Sequence, residues 1–163
     1  MDALAEIHVE QGTVALRRAR LEDVPAIVAL IAADQLGATR DGVRDEADLA
    51  AYTAAFRAID ADPAHVLVVA DSGGEVVGTM QLSFLPGLAR RGALRAQVEA
   101  VRVAERTRGS GLGAAMMAWA IDEARRRGCA LVQLTSDKSR TDAHRFYQRL
   151  GFAASHEGMK LAL

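Results

Sequence analysis

Hydrophobic and polar positions along the chain change period several times, and each change marks an element. In "TVALRRAR" (residues 13–20), Val14 and Leu16 alternate with polar neighbours, which predicts a strand. The period then lengthens. Asp23 as a cap, Pro25 in a first turn and the stripe Val24, Ile27, Val28 and Ile31 predict a helix over residues 25–36. "GATRDGVRDE" (residues 37–46) reads as a loop, and residues 47–59 as a second helix. "HVLVVAD" (residues 65–71) is almost wholly apolar, as a buried strand would be. "SGGE" turns it into a second strand, "VVGTMQLSF" (residues 76–84), so the two form a hairpin.

Beyond a long loop over residues 85–96, "QVEAVRVA" (residues 97–104) alternates Val98 and Ala100 against Gln97, Glu99 and Val101 as another strand. A helix follows over residues 111–127, stopped by Gly128, then the strand "CALVQLTS" and a helix over residues 142–150, stopped by Gly151. Residues 152–163 are expected to hold one or two closing strands. Antiparallel strands with helices around a partly parallel middle predict an α+β (mixed α/β/α) domain over residues 13–163, preceded by an N-terminal extension, residues 1–12.

Composition narrows the function classes. A net charge of -1 over 163 residues argues against nucleic acid as the main partner. One cysteine, Cys129, rules out an internal disulfide framework and a cysteine zinc site, and its apolar neighbours predict a buried structural thiol. The histidines His8, His65, His144 and His156 lack metal-ligand spacing, so no metal is expected. No apolar run approaches the roughly 20 residues of a membrane span. The first ten residues carry three acidic side chains and no Lys or Arg, unlike a signal peptide, so a cytoplasmic location is expected.

The chemistry concentrates in "ERTRGSGLGAAMMAWA" (residues 105–120), where Gly109, Gly111 and Gly113 run into a helical pattern. A strand, a glycine-rich turn and a helix start together make an anion site. The first helix amides lack internal partners, and glycines let the backbone approach a phosphate closely. Arg108 adds a fixed cation. The loop is not a Walker A loop, because Lys138 and Lys160 are the only lysines, and Met116 stands where a dinucleotide fingerprint needs its third glycine.

"RGSGLG" (residues 108–113) resembles the Arg/Gln-x-x-Gly-x-Gly/Ala signature of the GNAT superfamily of acetyl-CoA-dependent N-acetyltransferases. The resemblance extends from Val98 through "AHRFYQRLGF" to Phe152, with a weaker match from Val14 onward. It implies a mostly antiparallel central sheet with a splayed parallel pair, flanked by helices. It also implies acetyl-CoA as cosubstrate, its pyrophosphate cradled by Arg108, Gly109, Ser110, Gly111, Leu112 and Gly113. The pantetheine arm would lie along the backbone of Val101, Arg102 and Val103. Arg140 stands where the family often has Asn, and reads equally as a contact to phosphate or pantetheine and as a solvated arginine.

An aliphatic amine, with a pKa near ~10.4, reaches such a site protonated and must lose that proton before attacking the thioester. The resemblance makes Glu99 the candidate base and Tyr147 the candidate acid. Glu99 reads equally as a solvated strand glutamate, and Tyr147 as part of the apolar stripe Ala143, Phe146, Tyr147 and Leu150. The expected acceptor is the primary amine of a small molecule, attacked in a ternary complex. The alternatives are protein N-termini or lysines, or a silent acyl-CoA-binding module, and a homodimer is left open. Asp34, Asp41, Asp45 and Glu46 could attract a cationic acceptor or simply be solvated.

Overall fold

The computed structural model describes residues 3–10, 12–34 and 36–163. Six strands form one sheet in the order β1-β2-β3-β4-β5-β6. They are β1 (Ala3–Val9), β2 (Gly12–Arg18), β3 (His65–Ser72), β4 (Glu75–Leu85), β5 (Arg95–Val103) and β6 (Leu131–Leu134). The first five pair antiparallel with their neighbours, and β5 and β6 run parallel. Ala3–Val9, within the stretch set apart as an N-terminal extension, is thus an edge strand of the sheet.

Two helices, α1 (Val24–Ala32) and α2 (Glu46–Ala61), join β2 to β3, and α4 (Leu112–Arg126) joins β5 to β6. Alternation along β3 explains the layering. Val69, with Leu67 against it, packs with Val24, Ile27, Val28 and Phe56 under α1 and α2. Ala70 faces the other way: a Cβ on Gly78 would lie 3.2 Å from the Ala70 Cβ and 3.0 Å from the Met116 Sδ of α4. A strand covered on both faces needs apolar residues at successive positions, which is why "HVLVVAD" lacks clean alternation. Leu112, Met116, Met117 and Ala120 of α4 are almost wholly buried, while Trp119 is only half-buried.

Asp23 stands at the N-cap of α1, but its carboxylate does not cap the helix. It turns back to accept from the Arg20 amide at 2.7 Å and from both terminal nitrogens of Arg17 at 2.7 and 3.0 Å. Arg17 Nε donates to Asp71 at 2.9 Å, so one buried guanidinium joins the ends of β2 and β3 to the start of α1. Burial alone would raise the Asp23 carboxyl. The hydrogen bonds from Arg17 and Arg20 outweigh it and hold the group below the ordinary carboxylate range.

Three expectations change. The long loop shortens, because β4 extends to Leu85 and β5 begins at Arg95; between them lies one turn, α3 (Ala89–Gly92), with Arg90 and Arg91 left-handed. Cys129 is half-buried, not buried, though burial still raises its thiol pKa, with Glu123 adding to the rise and Arg127 opposing it. Residues 152–163 form no closing strand. Met159, Leu161 and Leu163 alternate as a strand would but are 91, 87 and 117% exposed; alternation supplies a strand pattern, whereas a strand also needs a backbone partner.

No helix among the described residues is long and apolar enough to cross a membrane. The chain divides into two compact units at Gln133/Leu134. The second holds α5 (Thr141–Arg149), whose Tyr147 ring makes edge contacts with Phe146 and Phe152 at 5.1 and 5.8 Å.

Candidate active site

The strand β5 is bulged where the sequence pattern runs on unbroken. Gln81 faces Glu99 and Thr79 faces Arg102, so Ala100 and Val101 together oppose the single residue Met80. Ala100 takes φ +52, a left-handed conformation that costs a non-glycine residue about 1–2 kcal/mol. The ladder on both sides of Ala100 fixes it there. Strain held in this way marks a candidate functional position. A bulge also removes one residue from regular pairing, so it interrupts the ladder inside the predicted pantetheine stretch, Val101 to Val103.

Five residues after Val103, at Arg108, the glycine loop begins. Gly109 and Gly111 take φ +81 and +84, and Gly111 is the N-cap of α4. A Cβ at either would meet no atom within 4 Å. Conformation, not crowding, therefore demands glycine here, and the space in front of the backbone is open. Two buried hydroxyls pin the loop from within. Thr107 Oγ1 donates to the Ala104 carbonyl at 2.8 Å, and Ser110 Oγ donates to the Thr107 carbonyl at 2.6 Å. The Leu112 amide donates to Ser110 Oγ at 3.4 Å. The Ser110 side chain thus holds the loop together and does not face outward as a ligand hydroxyl. Arg108, Gly109 and Gly111 are exposed. The arrangement fits a phosphate: open space, amides at a helix start, and an exposed cation beside them.

Glu99 is exposed on β5, one residue before the bulge. Strands β5 and β6 are tied upstream of it, where the Ala130 amide donates to the Leu94 carbonyl at 2.8 Å and Gln133 Nε2 donates to Gln97 Oε1 at 2.7 Å. The structure thus brings Glu99, Val101, Arg102, Val103 and the loop 108–113 onto one continuous strand–loop–helix unit. Arg140 and Tyr147 lie in the second unit, both half-buried, with Arg140 at the N-cap of α5.

Three of the four acidic residues weighed for acceptor attraction have partners of their own. Asp34 pairs with Arg102, Asp41 accepts from the Tyr52 hydroxyl at 3.0 Å, and Asp45 caps α2 through the Asp48 amide at 2.8 Å. Sequence reasoning missed the Ala100 bulge and the Asp34–Arg102 pair. Alanine carries no left-handed signature, and the paired residues lie far apart in the chain. Among the described residues, no group of three or more His, Cys, Asp and Glu side chains is placed to hold a metal ion.

Comparison with known proteins bears on this geometry. The sequence profile of the acetyltransferase (GNAT) family matches residues 26–152. The aminoalkylphosphonate N-acetyltransferase of Salmonella typhimurium is 33% identical over 141 residues, 86% of each chain. Among solved structures, a transcriptional regulator from Bacillus halodurans superposes with a TM-score of 0.87 at 43% identity, covering 92% of this chain and 99% of that one. An acetyltransferase from Trypanosoma brucei superposes with a TM-score of 0.73 at 27% identity, covering 92% and 99%. With the profile spanning the bulged strand, the glycine loop and α5, this chain belongs to the acetyltransferase (GNAT) family and is an acetyltransferase.

Proposed function

We propose that the protein transfers the acetyl group of acetyl-CoA to the primary amine of a small-molecule acceptor, by direct attack within a ternary complex. The observation that carries this reading is the bulged strand running into a left-handed glycine loop at the start of α4. The backbone of Gly109 to Gly113 receives the coenzyme pyrophosphate, with Arg108 beside it. Val101 to Val103 pair with the pantetheine arm, and an amide near the bulge polarises the thioester carbonyl. Exposed Glu99 accepts the ammonium proton, directly or through water. The neutral amine nitrogen then bonds to the carbonyl carbon, the carbon–sulfur bond breaks, Tyr147 protonates the leaving thiolate, and the proton lost by the new amide nitrogen restores the Tyr147 hydroxyl. The roles of Tyr147 and Arg140 rest on their motif positions alone.

The Salmonella relative, named for aminoalkylphosphonates, supports a small acceptor over a protein one. Thiol release from acetyl-CoA, measured across aminoalkylphosphonates, amino acids, polyamines and N-terminal peptides, tests the reading. Fastest turnover is expected with a small amine. Faster turnover with the peptides would overturn the small-molecule assignment, and coenzyme binding without release for any amine would reduce the protein to an acyl-CoA-binding module.

A further inference from the structure

Arg102 stands on β5 directly after the bulge pair, and Asp34 stands two residues beyond the end of α1. Arg102 Nε lies 3.1 Å from Asp34 Oδ2, and each side chain is only 17% exposed. The same guanidinium donates through Nη1 to the carbonyl of Val101 at 2.9 Å, so it touches the bulge itself. On its other side Asp34 holds the chain leaving α1. Its Oδ1 accepts from the Gly37 amide, and its backbone carbonyl accepts from the Ala38 amide at 2.8 Å. Gly37 is packed so tightly on the Ile31 carbonyl that a Cβ there would collide with it. The far end of the segment is fixed separately, by Tyr52 of α2 donating to Asp41 and accepting from the Gly42 amide at 3.2 Å. Asp34 is therefore the point where the α1–α2 segment is fastened to the bulged strand.

We propose that Asp34 and Arg102 are a positioning pair that sets the α1–α2 segment against the bulge of β5 and so aligns the acceptor amine with the thioester. The inference rests on the proposed reading, in which the coenzyme lies along Val101 to Val103, and adds to it that the α1–α2 segment, with the acidic residues weighed above for a cationic acceptor, forms the acceptor side of the site. Neither side chain needs to touch the reacting atoms. Arg102 pairs its charge with Asp34 and donates through Nη1 to the Val101 carbonyl, while Asp34 accepts from the Gly37 amide and turns its other oxygen to the guanidinium. A displacement of about 1 Å between two bound reactants lowers rate by up to roughly 10², so a loosened fastening is visible in turnover while coenzyme binding at the glycine loop persists.

The test compares Asp34→Asn, which keeps shape and removes charge, with Asp34→Glu, which keeps charge. For Asp34→Asn the expected results are a roughly 10- to 100-fold fall in kcat/KM for the amine, an acetyl-CoA Kd within about twofold of wild type by calorimetry, and faster amide exchange over residues 37–45. Asp34→Glu is expected to recover part of both the rate and the protection. A merely structural role would lower kcat in proportion to the folded fraction and leave both KM values unmoved; that pattern, or unchanged kcat/KM in a folded Asp34→Asn protein, overturns the proposal. If the wild-type protein acetylates no amine, the functional reading fails by itself. The exchange measurement then still decides the fastening: protection over residues 37–45 lost in Asp34→Asn upholds it, and protection retained overturns it.

Discussion

Gly111 offers the sharpest separation of folding from binding. Its φ is +84 at the N-cap of α4, and a Cβ would meet nothing within 4 Å. Gly111→Ala therefore creates no clash, and its whole cost is conformational, about 1–2 kcal/mol. For a domain of this size that is a fall in Tm of about 3–6 °C. Gly111→Asn is expected to recover most of the loss, because Asn tolerates the left-handed region and is a favoured N-cap residue. Binding should rank differently. Both substitutions place a Cβ in the open space assigned to the pyrophosphate, so both weaken acetyl-CoA binding. Gly111→Asp adds a negative charge about 4 Å from a phosphate, a repulsion of about 1–4 kcal/mol between water and a surface-like dielectric. That predicts a further loss of at least about fivefold, shrinking as salt is added. Scanning calorimetry and titration calorimetry on the three variants read the two effects apart. A Gly111→Ala protein as stable as wild type would refute the conformational argument, and undiminished coenzyme binding by folded Gly111→Asp would refute the phosphate site.

Glu99→Gln should lower kcat/KM at neutral pH and recover partly at high pH, where more amine arrives deprotonated; a profile parallel to wild type across the whole range would return Glu99 to a solvated strand residue. Tyr147→Phe removes one hydroxyl and keeps the ring contacts with Phe146 and Phe152, so turnover should fall roughly 10²–10⁴-fold at nearly constant coenzyme affinity; unchanged turnover with chemistry rate-limiting would exclude the acid role. Because the folded Asp23 carboxyl titrates below its ordinary value of 3.8, the unfolded chain binds more protons as pH drops through that window. The Asp23 contribution to stability is thus complete above about pH 4 and lost as pH falls through the depressed folded value, and Asp23→Asn should flatten that part of an acid titration of Tm. Arg17→Met, which leaves Asp23 and Asp71 buried without their cation, should cost about 3–5 kcal/mol by denaturant unfolding.

Most elements were legible because their signals are local. The stripe Val24, Ile27, Val28 is buried under α1 as its spacing requires, and "SGGE" supplies the two left-handed glycines that a tight hairpin needs. The glycine turn that starts α4 was legible for the same reason, since its left-handed backbone is written in closely spaced glycines. What stayed hidden depends on distant partners. Arg17 reads as the outward, polar position of an amphipathic strand, yet it is buried because its two carboxylates come from residues 6 and 54 positions away. Alternation at Val98, Glu99 and Ala100 reads straight through the bulge, which only the pairing with β4 reveals. Met159, Leu161 and Leu163 failed in the opposite sense, carrying the pattern of a strand where the structure provides none.

The candidate site is built from backbone that costs stability, and its position in the fold explains how it persists. Ala100 is left-handed without being glycine, and α4 begins on a glycine N-cap in place of a side-chain cap. The first departs from what a strand would choose alone by about 1–2 kcal/mol, the second from a side-chain cap by only about a few tenths of a kcal/mol. They adjoin fully buried packing: Leu112, Met116 and Met117 of α4 at 0–1% exposure, with the Met116 Sδ 3.0 Å from where a Cβ on Gly78 would stand. Burying three such side chains contributes about 1.5–3 kcal/mol apiece, more than enough to offset the strained residues. The ladder to β4, the Arg102 contact with Val101 and the buried Thr107 and Ser110 hydroxyls then fix the backbone from three directions. A loop held this way is arranged before any ligand arrives, so binding need not supply the energy to order it. Mutations that loosen the α4–β4 packing should therefore weaken coenzyme binding from beneath, without touching a residue of the loop.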